Sequence, residues 1–257
     1  MRRIWLGLCV GAAATVAAGP AARYVDYRQD RGVDDDPAEW ARYLDLGTEG
    51  NLPTFYSASL LLVLAAGCAL RALLAVRRLV AAWVSIAAVA ALLALDEATA
   101  LHERFLDPLG QRLGGGEGLL RFAWVVPGSL LALGGTLLLL RATRRLPAST
   151  HRSLGLALAV FLAGALVVEA ISGAVLEERG HDRVYLGAMT LEEGLEFAGV
   201  LIALRSVLGS LSVRRDGASL VVTAQPHPVW AVATHAAPVA SGRVAPLAVE
   251  TAEASPG

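Results

Sequence analysis

The stretch LVAAWVSIAAVAALLALDEATALHERF, residues 79–105, begins as a long apolar run and ends among ionisable side chains. A helix of roughly 20 apolar residues crosses a hydrocarbon core of about 30 Å, so residues 79–101 can form a membrane span. The last turns of the stretch nevertheless carry Asp96, Glu97, His102 and Glu103. Charged groups within a span are costly and usually face the interior of a helix bundle, where they serve a function. The stretch therefore predicts a membrane protein with a polar site.

The whole chain has the composition of a membrane protein. Of its 257 residues, 55% are hydrophobic, and its mean hydropathy of +0.55 is too high for a soluble domain with a largely polar surface. Apolar runs of spanning length occur near residues 3–20, 54–76, 79–101, 119–140, 153–176 and 190–210. We predict an all-α, polytopic membrane helical bundle over residues 1–210, with about six transmembrane helices and the lipid bilayer as its main partner. The two cysteines lie in apolar spans, which argues against a disulfide framework or a cysteine metal site.

The first span has a second interpretation. It begins with Arg2 and Arg3, continues with an apolar middle and reaches small residues near Ala21, which is also the pattern of a signal peptide. Its removal would leave five spans and would not change the topology after residue 21.

The positions of the arginines predict the orientation. Short loops that are rich in basic residues stay in the cytoplasm, and the chain contains Arg but no Lys. Arginines cluster at one set of loops, namely 2–3, 77–78, 141–152 and 214–215, whereas acids balance them in the alternate loops 21–53, 102–118 and 177–189. We expect a multi-pass protein of the cytoplasmic membrane with both termini in the cytoplasm. Arg71 lies about a turn inside its span, and we expect it to extend to the cytoplasmic surface.

Residues 211–257 differ from the rest of the chain. They are rich in Ala, Pro and Val and lack an apolar run of spanning length, which predicts a mostly disordered cytoplasmic tail. The segment SLVVTA, residues 219–224, can pair as a short strand, but an isolated strand has nothing to bury. We therefore expect removal of residues 218–257 to leave stability nearly unchanged.

Three predicted spans place a carboxylate at the same depth. At a rise of ~1.5 Å per residue, Asp96, Glu169 and Glu196 lie about 8, 10 and 9 Å from the outer ends of their spans. Around the third span, Asp96 and Glu103 differ by only ~20°, with Glu97 and His102 on either flank. These positions predict one shared polar layer near the outer side of the bundle.

Several of the nearby residues also have structural interpretations. Thr190 and Glu193 fit a capping box, so that Glu193 can simply close the start of a helix. Glu192 would then lie in the first turn, where an acid suits the helix dipole. Pro127 with Gly128 in the fourth span is typical of a tolerated kink.

These polar segments resemble a family of bacterial multispanning membrane proteins of unassigned function. The resemblance rests on the segments GTEGNLPTFYSASLLLVLAA, LALDEATALHERF, VVEA and TLEEGLEFAGVLIAL, and it covers most of residues 45–208. It implies six spans and one shared polar site, without an activity. The positions that it carries are Glu49, Asn51, Pro53, Asp96, Glu97, His102, Glu103, Glu169, Glu193 and Glu196. Since Glu49 and Asn51 precede the second span on the outer side, the resemblance places them as a roof over the site.

Acids outnumber bases in this layer. Seven acids, counting Glu192, face three bases, which are His102, Arg104 and Arg121. Carboxylates at such density cannot all stay ionised without a cation, so they share protons or bind a metal ion.

Familiar catalytic signatures do not fit. The Glu-x-x-His of di-iron bundles would need Glu where the chain has Thr99, and the zincin motif would need His where it has Leu106. No nucleotide fingerprint or basic nucleic-acid-binding face is present, and we assign no reaction and no catalytic residue.

Three interpretations of the polar layer remain. The first is a metal site whose carboxylates and histidine favour Mn, Fe, Zn or Ca. The second is a proton or cation relay in a small transporter or sensor. The third is a scaffold in which the acids pair with Arg104, Arg121 and each other. The first two share the candidate residues Asp96, Glu97, His102, Glu103, Glu169, Glu193 and Glu196, and oligomeric state is left open.

Overall fold

The computed structural model describes residues 2–28, 38–217 and 219–225. Its helices are α1 (Arg2–Arg28), α2 (Glu39–Arg42), α3 (Leu52–Leu73), α4 (Arg77–Thr99), α5 (Asp107–Arg112), α6 (Val125–Thr143), α7 (Ala148–Leu162), α8 (Glu169–Arg179) and α9 (Arg183–Gly209). Two π-helical segments, His102–Leu106 and Ala163–Val168, and one 3₁₀ turn, Gly118–Leu120, lie between them. The chain continues into the strands β1 (Leu211–Asp216) and β2 (Ser219–Ala224). The prediction of a mostly helical fold is confirmed.

Five helical stretches in the described part of the chain are long and apolar enough to cross a membrane. They are Arg2–Asp26, Leu52–Leu73, Arg77–Thr99, Val125–Thr143 and Ala148–Arg179. The last stretch joins α7, the second π-helical segment and α8 into 32 residues. Five of the six predicted spans thus coincide with a helix of suitable length and composition.

The sixth predicted span lies in α9, which is the central helix of the bundle. It is not among the five apolar stretches, because Glu192, Glu193, Glu196 and Arg205 lie along it. With 27 residues it is about 40 Å long, enough to cross a bilayer. It packs against α1, α3, α7 and α8. A sixth crossing by α9 stays a prediction.

Small residues allow α9 to approach its neighbours closely. Lipid tails are as apolar as leucine, so helices in a membrane associate through close packing rather than through the hydrophobic effect. A Cβ atom on Gly199 would lie 2.7 Å from the Cβ of Phe161 in α7. One on Gly67 of α3 would lie 3.0 Å from a methyl group of Val207, which is fully buried. Glycine is therefore needed where α7 meets α9.

Hydrogen bonds attach α1 to the bundle. The indole N–H of Trp5 donates to the carbonyl of Leu201 in α9 at 2.9 Å, and the Tyr56 hydroxyl of α3 donates to the carbonyl of Leu8 at 2.7 Å. Helix α1 thus contacts both α3 and α9 through specific polar contacts.

The prediction that Arg71 reaches the cytoplasmic surface is wrong. Arg71 is only 7% exposed, and its guanidinium carbon lies 4.8 Å from the centre of the Trp83 ring. Helices α3 and α4 form a tight helical hairpin, so the last turn of α3 packs against the first turns of α4. The Trp83 ring stabilises the cation there by a cation–π contact.

The fourth span begins later than predicted. Residues 118–124 form a 3₁₀ turn and further turns, and α6 starts at Val125 instead of near residue 119. Pro127 is consequently the third residue of α6, where a missing N–H costs no helical hydrogen bond. The expected mid-span kink at Pro127 and Gly128 is therefore wrong.

The predicted disorder of the tail is wrong for its first residues. Strands β1 and β2 pair in antiparallel register, with Leu211 opposite Ala224 and Asp216 opposite Ser219. Gly217 supplies the positive φ of 60° that the tight turn requires. The segment SLVVTA does pair, because the residues directly after α9 form its partner strand. Residues 226–257, the remainder of the predicted tail, lie outside the described residues.

Candidate functional site

The acids selected from the sequence line one cavity of about 590 Å³. The cavity extends from the loop before α3, between α4, α6 and α7, to the middle of α9. Eight carboxylate residues and one histidine line it, and they are Glu49, Asp96, Glu97, Glu103, Glu169, Glu192, Glu193, Glu196 and His102. Of the predicted site residues, Asn51 alone does not line this cavity.

Asp96 holds His102 in place. One Asp96 oxygen accepts the backbone N–H of His102 at 2.8 Å, and the other lies 3.1 Å from Nδ1 of the imidazole. Because a carboxylate only accepts hydrogen bonds, Nδ1 carries the proton and Nε2 is the nitrogen available to a ligand. A carboxylate behind a histidine in this way is a common device for orienting a metal ligand.

An unusual backbone brings the two residues together. Helix α4 ends at Thr99, and the next residue, Ala100, has a φ of 52°, which is in the left-handed region that residues other than glycine rarely adopt. A π-helical turn then begins at His102. Such turns are rare and are often found at functional sites. The imidazole also packs on the indole of Trp124, with the ring centres 4.6 Å apart.

Glu49, His102 and Glu103 form a candidate metal site. One donor atom from each of them lies within 4.8 Å of the other two, and Nε2 of His102 is 3.7 Å from an oxygen of Glu49. Ligand atoms that are each about 2.0–2.2 Å from a common ion can lie at such separations after small side-chain movements. The three residues therefore have the spacing and the donor types of a divalent-cation site.

The charges of this group act on one another. Burial, together with the charge of Glu103, raises the pKa of Glu49 to about 7, against an opposing effect of His102. Burial lowers the pKa of His102, but the hydrogen bond and the charge of Asp96 outweigh it and raise the pKa above its ordinary value. Both effects follow from several carboxylates that lie close to one imidazole.

Asn51 shapes the loop that carries Glu49. Its side-chain oxygen caps α3 by accepting the N–H of Thr54 at 3.2 Å, and its amide nitrogen lies 2.7 Å from the carbonyl of Thr48 and 3.1 Å from that of Arg42. The expectation that Asn51 roofs the site directly is wrong, since its amide is used by the backbone. It positions Glu49 instead.

Deeper in the cavity, Glu169 meets Glu192. The indole N–H of Trp124 donates to Glu169 at 2.9 Å, and the hydroxyl of Ser172 donates to Glu192 at 2.6 Å. The two carboxyl groups lie close enough to form a hydrogen bond when one of them holds a proton. The second π-helical segment ends immediately before Glu169, so both π-helical segments adjoin the cavity.

The structural interpretations of Glu192 and Glu193 are wrong. Helix α9 begins at Arg183, where Asp182 accepts the N–H groups of Val184 and Tyr185 at 2.8 and 3.0 Å. Both acids consequently lie well inside the helix, so neither a capping box nor the helix dipole explains them. Glu192 belongs to the cavity, although the sequence favoured a structural role for it.

Glu193 and Glu196 are cavity acids without a hydrogen-bonding partner among the described residues. Within the described ranges, no hydrogen bond or ion pair involves the carboxylates of Glu193 and Glu196, and the charge of Glu97 acts on both of them. The surface that they leave uncovered faces the cavity. An unpartnered acid in a protein interior is costly, which indicates that a proton or a cation meets it there.

The part of the scaffold interpretation that pairs the acids with Arg104 and Arg121 is not supported. Neither Arg104 nor Arg121 lines the cavity, and no ion pair joins them to its acids within the described part of the chain.

Sequence reasoning missed Trp124, which contacts both His102 and Glu169. Trp124 lies inside the predicted fourth span, where an aromatic side chain that faces lipid is common, so its position alone does not indicate a functional role.

Comparison with known proteins identifies a family but no activity. No curated protein and no solved structure matches the chain. The family described as "Domain of unknown function (DUF8692)" matches residues 4–211, which extend from the first turn of α1 to the start of β1 and contain every residue that lines the cavity. Since this match covers most of the chain, the protein belongs to the DUF8692 family, a domain of unknown function.

Proposed function

We propose that this is an integral membrane protein that binds a divalent metal ion through Glu49, His102 and Glu103. The observation that carries the proposal is the arrangement of the histidine: Asp96 occupies Nδ1, and Nε2 faces the carboxylate of Glu49. If Asp96 served only to pair with the imidazole, the carboxylates of Glu49 and Glu103 would not be needed on the other side of the ring. Metal binding would replace the proton that His102 otherwise takes up at Nε2.

The donor set favours certain metals. Imidazole nitrogen suits Zn and Fe, and carboxylate oxygen suits Mn, whereas Ca is usually held by oxygen ligands alone. Mn, Fe and Zn therefore rank above Ca. Three protein ligands leave coordination positions open, as in catalytic rather than closed structural sites.

The location of the site also belongs to this proposal. The arginine asymmetry favours a cytoplasmic N-terminus and C-terminus in a bacterial cytoplasmic membrane. The connection from α4 to α6, which carries His102 and Glu103, would then face the outer side. Reporter fusions within residues 113–116 should read as external and fusions after Arg145 as cytoplasmic, and the opposite result would place the metal site on the inner side.

A relay of protons or cations is the second candidate function. It is favoured by the pair of Glu169 and Glu192, whose carboxyl groups can share a proton, and by Glu97, Glu193 and Glu196 around the same cavity. Together with Glu49 these acids extend from the loop at one end of the cavity to the centre of α9.

Metal analysis of the full-length protein separates the two functions. After purification and incubation with Mn or Zn, the wild type should retain about one ion, and Glu49→Gln and Glu103→Gln should each reduce occupancy at least tenfold. Glu178→Gln, the same change at an exposed acid outside the cavity, is the matched control and should bind as the wild type does. Absence of bound metal in the wild type would overturn the metal proposal and leave the relay.

A further inference from the structure

The cavity continues past the acids as an apolar trench along α6. The residues of α6 that line it recur at helical spacing, so they form one face of the helix. They are Gly128, Leu131, Ala132, Gly135, Thr136 and Leu139. From the first to the last of these the trench is about 17 Å long. Leu158 and Leu162 of α7 form its opposite wall.

The trench opens sideways into the surroundings of the bundle. Leu92 of α4 and Leu131 of α6 both line the cavity, yet each is 64% exposed. Both lie within helices of spanning length, where the surroundings are hydrocarbon rather than water. An opening of this kind admits the chain of a lipid-like molecule more readily than a water-soluble solute.

The charges at the acidic end of the cavity select the head group. No arginine from the described residues lines the cavity, so the unpartnered carboxylates of Glu193 and Glu196 face an acidic space. An ammonium group brings a positive charge and three N–H donors, whereas a phosphate or a carboxylate would be repelled. A cavity of about 590 Å³ that has an acidic part and an apolar trench has the size of a small-molecule site.

We propose that the cavity binds a long-chain amphiphile with a cationic amine head group. The amine meets Glu193 and Glu196, and the hydrocarbon chain follows α6 toward Leu139. The head then lies near one membrane boundary and the tail points toward the bilayer centre, which is how lipids of that leaflet are oriented. This proposal goes beyond the metal site and does not require it, because the two use different residues of the cavity.

Adjacent glycines provide a matched pair of variants for the tail. A Cβ atom on Gly134 or Gly135 would meet no atom within 4 Å, but only Gly135 lines the trench. Leucine at either position also improves helix propensity, so both variants should fold. Gly135→Leu fills the trench, whereas Gly134→Leu adds the same side chain outside it.

The test uses dodecylamine that carries a photoreactive diazirine at the end of its chain. With the full-length protein in phosphatidylcholine nanodiscs, we expect cross-links to α6 that excess dodecylamine abolishes and that excess dodecanol or dodecanoic acid does not. Gly135→Leu should lower this competable labelling at least tenfold, and Gly134→Leu should not change it. The double variant Glu193→Gln/Glu196→Gln, which leaves the trench open, should also lower it at least tenfold.

Other outcomes overturn the proposal. Labelling that dodecanol competes equally well, or that persists in Gly135→Leu, would show that the amine merely partitions into the bilayer. Metal content measured on the same samples separates this proposal from the metal site. Bound metal without competable labelling would refute the amphiphile alone, and competable labelling without bound metal would refute the metal site alone.

Discussion

Among single residues, Asp96 and Asn51 determine the geometry of the site without the need to touch a ligand. Asp96 fixes the ring of His102 with one oxygen and its backbone with the other. Asn51 folds the loop that carries Glu49. Supporting residues of this kind hold the reactive side chains in one orientation, which reduces the cost of ordering them when a ligand binds.

The role of Asp96 can be tested with a conservative change. Asp96→Asn keeps an oxygen for the backbone N–H of His102 but removes the carboxylate behind Nδ1. We expect Mn or Zn affinity to fall about 10- to 100-fold with little change in thermal stability. Titration of purified protein with either metal measures this, with Asp216→Asn at the exposed end of β1 as control. Unchanged affinity would mean that His102 is oriented by something other than Asp96.

Among the elements, α9 brings the parts of the site together. Its N-terminal half carries Glu192, Glu193 and Glu196 into the cavity, and its C-terminal half contains the fully buried Leu204 and Val207. The helix can serve both purposes because small residues on its neighbours and on itself permit close contact, as at Gly164, where a Cβ would lie 2.7 Å from the carbonyl oxygen of Glu192. Close packing fixes the depth at which the acids face α4 and α8.

A pair of glycines in α9 tests this packing. An added Cβ on Gly199 would lie 2.7 Å from the Cβ of Phe161 and 2.8 Å from the carbonyl oxygen of Ala157, whereas one on Gly187 would meet nothing within 4 Å. Gly199→Ala should destabilise the protein by about 1–3 kcal/mol through overpacking. Gly187→Ala should be neutral or stabilising by up to about 1 kcal/mol because alanine favours helix. Thermal unfolding in detergent decides, and equal effects of the two changes would contradict the close contact of α7 with α9.

For the whole molecule, the helical bundle and the hairpin form one connected body. The family match ends at residue 211, where α9 is followed by β1. Leu211 is only 3% exposed, and the backbone N–H of Gln225 donates to the carbonyl of Ser210 at 2.8 Å. The hairpin is therefore attached to the end of α9 at both of its ends.

This attachment changes the point at which the chain can be shortened. Removal of residues 226–257 should leave the thermal stability in detergent unchanged. Removal of residues 211–257 should lower it, because the buried Leu211 alone contributes about 1.5–3 kcal/mol. Removal of residues 218–257 deletes β2 and should cause an intermediate loss of thermal stability, although the sequence alone suggests that this deletion is harmless. Equal stability of all three proteins would show that the hairpin does not pack on the bundle.

Much of the site could be predicted from the sequence because it depends on local geometry. The rise of a helix is constant, so the positions of Asp96, Glu169 and Glu196 within their apolar runs already predict a common depth. The composition of those runs likewise predicts the membrane-spanning helices. The sequence thereby determined the class of fold and selected acids that line one cavity.

Tertiary structure decided the remaining features because hydrophobic periodicity does not fix where a helix begins or ends, or which helices come together. The start of α9 at Arg183, set by the Asp182 cap, removed the structural interpretations of Glu192 and Glu193. The left-handed Ala100 after α4 and the π-helical turn that follows it placed His102 between Asp96 and Glu49. Neither a helix boundary nor a left-handed residue follows from hydrophobic periodicity, since both depend on competing local hydrogen bonds that packing decides. The apolar trench beside α6 likewise exists only because α4, α6 and α7 come together in space.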